Sequence, residues 1–243
     1  MHEPSLITDT LNKYFGNLAT QVLHAVHVQP YNPHAPITET FAMEILVLGL
    51  LFIFFVLVRL SLNVEKPGPI QQIAEMLHGF VSGQADSIIG PHAQRYVMFT
   101  TCVLMFVLTS NLLGMVPGLL APTSVATVPL GVALLCFFYY HFHGVRENGL
   151  GYFKQFVGPI WWISWMMLPI ELISHFARVL SLTVRLYANM FASDLLTLVW
   201  FSIIPIAVPS VFLGLHFAVS VIQAFVFMLL AMIYLSMAVS HEH

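Results

Sequence analysis

Residues 169–201 read PIELISHFARVLSLTVRLYANMFASDLLTLVWF. Apolar side chains recur at helical spacing for about 32 residues, which predicts one continuous helix. At 1.5 Å per residue this helix would be roughly 45–50 Å long, whereas the hydrocarbon core of a bilayer is about 30 Å thick. We therefore expect a steeply tilted helix that lies along another surface. The same stretch carries five ionisable side chains: Glu171, His175, Arg178, Arg185 and Asp194.

The composition places the chain in lipid. Of its 243 residues 58% are hydrophobic and only 8% are charged, with a mean hydropathy of +0.86, whereas soluble domains carry about 25% charged residues. No basic stripe marks a nucleic-acid partner. Cys102 and Cys136 lie in apolar runs, which favours two buried thiols over a disulfide or a metal site.

Four further segments complete the expected membrane part. Residues 41–60 form the first apolar run of spanning length, and residues 96–116 and 127–141 predict a helical hairpin before a polar loop at 141–155. A second over-long helix is expected at 211–240, separated from the first by Pro205 and Pro209.

Residues 70–89 do not look like a membrane span. Their apolar residues recur at helical spacing but alternate with polar ones, as in an amphipathic helix on the membrane surface. The predicted fold is therefore an all-α membrane protein with about five transmembrane helices and one amphipathic surface helix, the last two spans being long and steeply tilted.

The organisation and topology follow from polarity and charge. Residues 1–40 are polar and rich in proline, which predicts an extramembrane N-terminal segment with one short helix, and residues 41–243 form the membrane domain. The positive-inside rule then places the N-terminus outside and the C-terminus in the cytoplasm. The cytoplasmic segments hold five cations, Arg59, Lys66, Arg95, Arg146 and Lys154, against Lys13 outside.

Ionisable residues inside membrane helices are costly and mark functional sites, at about 2.5–3.5 kcal/mol or more for an arginine or aspartate. With 100° per residue, Glu171, Arg178, Arg185 and Asn189 share one face of the long helix, and Asp194 lies opposite. Arg178 is open to two readings, as a functional charge or as a structural partner of Glu171.

The last helix carries a second polar face. His216, Ser220 and Gln223 follow the i, i+4, i+7 rule and share one side. Together the two helices present titratable and hydrogen-bonding groups at several depths, as proton transfer requires. An arginine cannot release its proton at any useful pH, so Arg185 is expected to act as a fixed charge and not as a relay.

Four motifs carry a resemblance to a known family. SLTVRLYANMFASDLL at 181–196 and LHFAVSVIQAFVFMLLAMIYLSMA at 215–238 resemble the two hallmark sequences of subunit a of the F-type ATP synthase, in the membrane FO sector. TSNLLGMVP at 109–117 and IAEMLHGFVSG at 73–83 resemble that family's middle-helix and surface-helix motifs. The resemblance runs in order from about residue 41 to the end.

The resemblance implies a mechanism. Subunit a lies beside a rotating ring of c subunits, each with one carboxylate at mid-membrane, and two offset half-channels lead protons to and from that carboxylate. Arg185 matches the essential arginine that discharges the ring carboxylate and blocks leakage, and Asn189 and Gln223 match polar neighbours. Asp194 and His216 match the acid and imidazole of the outer half-channel.

The cytoplasmic lining is implied in the same way, with Glu171, His175 and Ser181 as its residues. The resemblance further implies a non-catalytic subunit without a cofactor or metal, the c ring, the subunit b peripheral stalk and the lipid bilayer as partners, and the bacterial plasma membrane as location. The chain departs from the family at Val179, where proline is common, so a bend there is not expected to carry over.

Two other functions fit parts of the sequence. A haem protein would need histidines paired at matching depths, and only His175 and His216 are deep. A stand-alone channel or secondary transporter would explain the buried charges, but not the two over-long helices, and no internal repeat supports it.

Overall fold

The computed structural model describes residues 6–25, 35–63, 65–90, 93–116, 119–149, 152, 161–203 and 207–239. Within these residues the chain is almost entirely helical and forms no strand, which confirms the predicted all-α fold. The helices are α1 Leu6–Ala25, α2 Glu39–Ser61, α3 Pro69–Ile88, α4 Gln94–Leu113, α5 Thr127–Asn148, α6 Trp161–Ile203 and α7 Ala207–Val239, with one turn of 3₁₀-helix at Pro122–Ser124.

Five helices are long and apolar enough to cross a membrane: α2, α4, α5, residues Trp165–Thr197 of α6, and residues Val211–Val239 of α7. The chain is therefore a multi-pass membrane protein, as predicted. The helical structure of residues 70–89 is confirmed by α3, which is not among the five spans. Its position along the membrane surface and the tilt of α6 and α7 stay predictions.

Local sequence explains where the helices start. Thr38 precedes α2, and its Oγ1 accepts a hydrogen bond from the Phe41 backbone N–H at 3.4 Å, as an N-cap residue does. Pro69 is the first residue of α3, where its missing N–H costs nothing.

The polar loop expected from residue 141 begins later than predicted. Helix α5 continues through its polar end to Asn148 and stops at Gly149, whose φ of +55° suits glycine. Tertiary contacts hold this last part: the Asn148 side chain donates to the Ala238 carbonyl oxygen at 2.9 Å, and Arg95 pairs with Glu147 at 3.1 Å. The remainder of the loop, except Tyr152, lies outside the described residues.

Helix α6 begins eight residues earlier than predicted. It spans 43 residues, about 65 Å at 1.5 Å per residue, and contains Pro169 instead of starting there. At the other break, Pro209 lies in the first turn of α7, where proline is tolerated, and Pro205 lies outside the described residues.

Helix α7 lies at the centre of the bundle and packs against α4, α5 and α6. Fully buried side chains interlock there, among them Val107 of α4, Leu186 of α6, and Phe227 and Met228 of α7. Lipid tails are as apolar as these side chains, so close packing and interhelical hydrogen bonds, rather than removal from water, hold the helices together. Cys136 is buried in this core, as expected, whereas Cys102 is exposed on α4, contrary to expectation.

Candidate functional site

Two contacts set the register of the antiparallel pair α6 and α7. Asn189 Nδ2 donates to the side-chain Oε1 of Gln223 at 2.8 Å, and the Arg178 guanidinium lies 5.2 Å from the centre of the Tyr234 ring. The two contacts are eleven residues apart along each helix, so the helices run side by side in register. This register brings the Asp194 end of α6 to the end of α7 that carries His216.

Buried polar side chains gather at that end around the half-buried Asp194 of α6. We call this group the Asp194 cluster: Asp194 itself, Ser110 and Asn111 of α4, Thr123 and Ser124 of the 3₁₀ turn, and His216 and Ser220 of α7. The Thr123 hydroxyl donates to Asn111 Oδ1 at 2.7 Å, and Asn111 Nδ2 reaches the Ser220 carbonyl oxygen at 3.5 Å. The Asp194 carboxylate faces Ser124, whose hydroxyl donates to the Ala121 carbonyl oxygen at 2.8 Å.

Three buried atoms of this cluster form no hydrogen bond with any described residue: Ser110 Oγ, His216 Nε2 and Ser220 Oγ. Leaving a buried donor or acceptor unpaired costs about 1–3 kcal/mol, so these atoms favour a water molecule or a transferred proton beside them. His216 is only 2% exposed, and it shares one buried face with Ser220 and Gln223, as the helical periodicity predicts.

The acid and imidazole of this cluster do not touch. No ion pair or hydrogen bond joins Asp194 to His216 among the described contacts. Asp194 faces the 3₁₀ turn on the side of α6 opposite Arg185, as the turn of 100° per residue predicts, whereas His216 is enclosed on α7. Proton transfer between the two would therefore need intermediate groups, and the Asn111 and Thr123 side chains lie in this region.

A second set of polar side chains lies near the other end of the pair, which we call the His175 cluster. The Tyr140 hydroxyl is 2.9 Å from His175 Nδ1, and His175 Nε2 is 3.4 Å from a Glu171 carboxylate oxygen. When Tyr140 donates to Nδ1, Nε2 carries the hydrogen that points to Glu171. The three side chains thus form a continuous chain of exchangeable protons. The His141 ring lies beside it, 4.8 Å from the His175 ring.

A cavity of about 130 Å³ adjoins this chain. Tyr140, Glu171, His175 and Arg178 line it, together with Tyr152 from beyond α5. That volume is enough for several water molecules. Burial raises the pKa of Tyr152 to about 12, so its phenol stays protonated and neutral at the cavity wall.

Arg178 and Glu171 form no ion pair within the described contacts, so the reading of Arg178 as the structural partner of Glu171 is not supported. Glu171 approaches His175 instead, and Arg178 stacks on Tyr234 in a cation–π contact. Arg178 therefore lines the cavity and joins α6 to α7 at the same time.

Arg185 stands apart from both clusters. Its side chain is exposed, and no described residue forms a hydrogen bond or ion pair with it. Arg178 and Asn189 share its side of α6, but the neighbouring exposed side chains of Val184 and Ala188 are apolar. Ser181, one turn away, is exposed on the same side. A cation on an apolar membrane surface is costly unless something covers and neutralises it.

Some polar residues of the two clusters could not be recognised as site residues from the sequence. Tyr140 reads as one aromatic residue among many, and Thr123 follows a proline in a short connection. Each acquires its role through a contact with a distant helix, which periodicity within one helix does not reveal. The one available signal for Asn111 was its motif at 109–117, where it is the only amide.

The fold and the polar clusters define a class: a multi-pass helical membrane protein with ionisable groups buried at two depths, as in proteins that move ions across membranes. Among the described residues no group of three His, Cys, Asp or Glu side chains is arranged to hold a metal ion. Comparison with known proteins identifies the family. The model of the ATP synthase A chain family matches residues 41–236, and the chain belongs to that family.

Individual relatives agree over most of their length. The chain is 48% identical to ATP synthase subunit a of Koribacter versatilis, over 97% of each chain. It is 45% identical to ATP synthase subunit a of Solibacter usitatus, over 83% of this chain and 87% of that protein. ATP synthase subunit a 1 of Syntrophotalea carbinolica is 40% identical, over 74% and 76%.

Proposed function

We propose that this chain is the non-catalytic, proton-conducting stator subunit of an F-type ATP synthase, and that it offers two offset half-channels to the carboxylates of a c ring. One observation carries the proposal: Arg185 is exposed and unpaired among the described residues, and it lies between two buried polar clusters. The names of its relatives support the assignment to the synthase.

The spacing along α6 supports two separate half-channels. Arg185 is seven residues beyond Arg178 and nine before Asp194, or roughly 10 and 14 Å along the helix axis. Neither distance is bridged by a hydrogen bond of one side chain, so a proton cannot pass directly between the clusters through side chains alone. It must leave α6 near Arg185, and a mobile carboxylate on a partner provides that route.

Charge complementarity identifies the partner's chemistry. The guanidinium cannot discharge by losing a proton, so the surface that covers it must bring a negative group. A ring carboxylate meets this need once per subunit: Arg185 favours its ionised form and hence the release of its proton. The hydrogen-bonded pair Asn189 and Gln223 lies one turn away and holds the two helices together beside this point.

The two clusters then take different roles. Asp194 and His216 conduct protons on the outer side, with Asn111, Thr123 and Ser220 between them. Glu171 and His175 conduct on the cytoplasmic side, with Ser181 nearer to Arg185. This orientation places the N-terminus outside, in agreement with the positive-inside rule. A membrane potential contributes about 2.3 kcal/mol per charge per 100 mV, and the offset between the half-channels turns that energy into rotation in one direction.

Membership of an F-type synthase also implies the subunit b peripheral stalk, which would hold this chain fixed against the turning ring, and location in the bacterial plasma membrane. Both rest on the family and on the relatives named above, ATP synthase subunit a of Koribacter versatilis and of Solibacter usitatus.

The test is Arg185→Ala in the assembled complex, with Arg178→Ala as the matched control on the same helix. We expect Arg185→Ala to abolish ATP-driven proton pumping in proteoliposomes while the ring still copurifies with the chain. The control should keep measurable pumping, because Arg178 contacts Tyr234 within the chain and lies about 10 Å along the helix from the point where Arg185 would meet the ring. Normal coupled pumping by Arg185→Ala, or purification of the native chain as a transporter without any ring, would refute the proposal.

A further inference from the structure

We infer that α1 is a membrane-surface helix whose exposed apolar face is buried in the lipid leaflet where α2 begins. The inference revises the expectation that residues 1–40 stand outside the membrane, and it does not depend on the half-channels. It rests on how α1 is fixed to α2, and on which of its faces the protein leaves uncovered.

The attachment fixes α1 at the membrane boundary. Asn12 forms two hydrogen bonds with the Ile37 backbone, through Nδ2 to the carbonyl oxygen at 3.1 Å and through Oδ1 from the N–H at 3.0 Å. Ile37 lies two residues before the start of α2, a span of 23 residues. That span is about 34 Å long, little more than the hydrocarbon thickness of about 30 Å, so α1 is tied to the level where the lipid begins.

The start of α1 reaches below that level. Ile7 packs against the cluster of Met43, Val47 and Leu113. Met43 and Val47 lie four and eight residues into α2, or roughly 6 and 12 Å from its first residue. One end of α1 is thus at the depth of lipid tails, and its neighbouring surfaces must be apolar there.

Helical geometry extends this face along α1. Tyr14 is seven residues after Ile7 and therefore points in nearly the same direction. Phe15 is likewise seven residues after the buried Thr8 and points in nearly the same direction as Thr8. Yet Tyr14 is 73% exposed and Phe15 is 54% exposed. The face that begins in the packed core therefore continues uncovered, two turns further on.

The opposite face is polar and also exposed, with Asp9 and Lys13 at its centre and Asn17 at its edge, on the side away from Phe15. This division of one helix into an apolar and a polar face is typical of helices that lie in the lipid interface, and tyrosine is enriched at that depth. The uncovered face is continuous with the exposed apolar side chains at the start of α2, such as Phe41. The occupant that fits this position is the lipid surface itself.

Site-directed spin labelling of the assembled complex tests the inference. Phe15→Cys and Asn17→Cys are a matched pair, two residues apart on opposite faces of α1, in a Cys102→Ser background that removes the exposed native thiol. The complex is reconstituted in vesicles of phosphatidylcholine and phosphatidylglycerol. The label's relaxation is measured with oxygen, which concentrates in lipid, and with a water-soluble nickel chelate.

We expect the ratio of oxygen to nickel accessibility to be several-fold higher at position 15 than at position 17, with ATP-driven pumping retained in both variants. Equal, nickel-dominated relaxation at both positions would show that the face lies in water and would overturn the inference. Low accessibility of position 15 to both reagents would also overturn it, because a protein partner would then cover the face.

Discussion

Arg185→Gln isolates the proposed barrier function of the arginine, because it keeps a polar side chain of similar length and removes only the charge. A proton that passes directly between the clusters must come near residue 185. In an effective dielectric of about 20, a fixed unit charge opposes it by about 4 kcal/mol at about 4 Å and by about 2 kcal/mol at about 8 Å. At about 1.4 kcal/mol per factor of ten, loss of the charge should raise the passive leak roughly 30- to 700-fold.

The assay must separate leakage from rotation. The complex is placed in proteoliposomes, the ring carboxylates are blocked with a carbodiimide, and a potassium diffusion potential drives proton flux. Because a blocked ring cannot carry protons, the remaining flux is the leak. Arg185→Lys is the matched control, since it keeps the positive charge and should keep the leak low. Equal leaks in the glutamine and lysine variants would refute the electrostatic barrier, even if both fail to pump.

Three further outcomes follow from described contacts. A double-mutant cycle of Asn189→Leu and Gln223→Leu, measured by unfolding in detergent, should give a coupling energy of about 0.6 kcal/mol and at most about 1.7 kcal/mol. Zero coupling would mean that the 2.8 Å hydrogen bond contributes nothing to stability. Gly144→Ala should lower stability by about 1–3 kcal/mol, because the new Cβ would lie 2.6 Å from a ring carbon of buried Tyr152. The loss is measured as a lower temperature of thermal dissociation of the complex. An unchanged temperature would show that the ring moves aside. His216→Ala should slow proton flux without abolishing it, and unchanged flux would remove this buried imidazole from the pathway.

The spans were predictable because the bilayer imposes one requirement everywhere. Each crossing must satisfy its own backbone hydrogen bonds over about 20 apolar residues, so apolar runs such as residues 41–60 locate the helices. Helix ends were less predictable. Residues 141–148 are polar enough to read as a loop, but their helix is held by Asn148 and by the close approach of Gly144 to Tyr152. Such contacts join residues far apart in sequence.

The candidate site divides in the same way. Periodicity within one helix correctly grouped His216, Ser220 and Gln223, and it put Asp194 on the side away from Arg185. The periodicity did not reveal which side chains contact these residues from other helices. That Glu171 meets His175 is an i, i+4 contact and was within reach of the sequence, whereas the bond from Tyr140 to His175 joins α5 to α6 and required the fold.

The contrast between the buried and exposed polar groups supports the proposal that a partner covers Arg185. His175 and His216 are enclosed, and the protein supplies most of their surroundings. Arg185 is costly to leave in lipid, and no described residue pairs with it. For the stability of the helix bundle alone, an apolar residue would serve better at this position. The substitution would break no hydrogen bond or ion pair to a described residue and would remove the cost of a charge in lipid. The lack of a partner among the described residues supports the proposal that the compensating negative charge comes from outside the chain, and a charge that is met and released repeatedly suits a moving surface better than a fixed one.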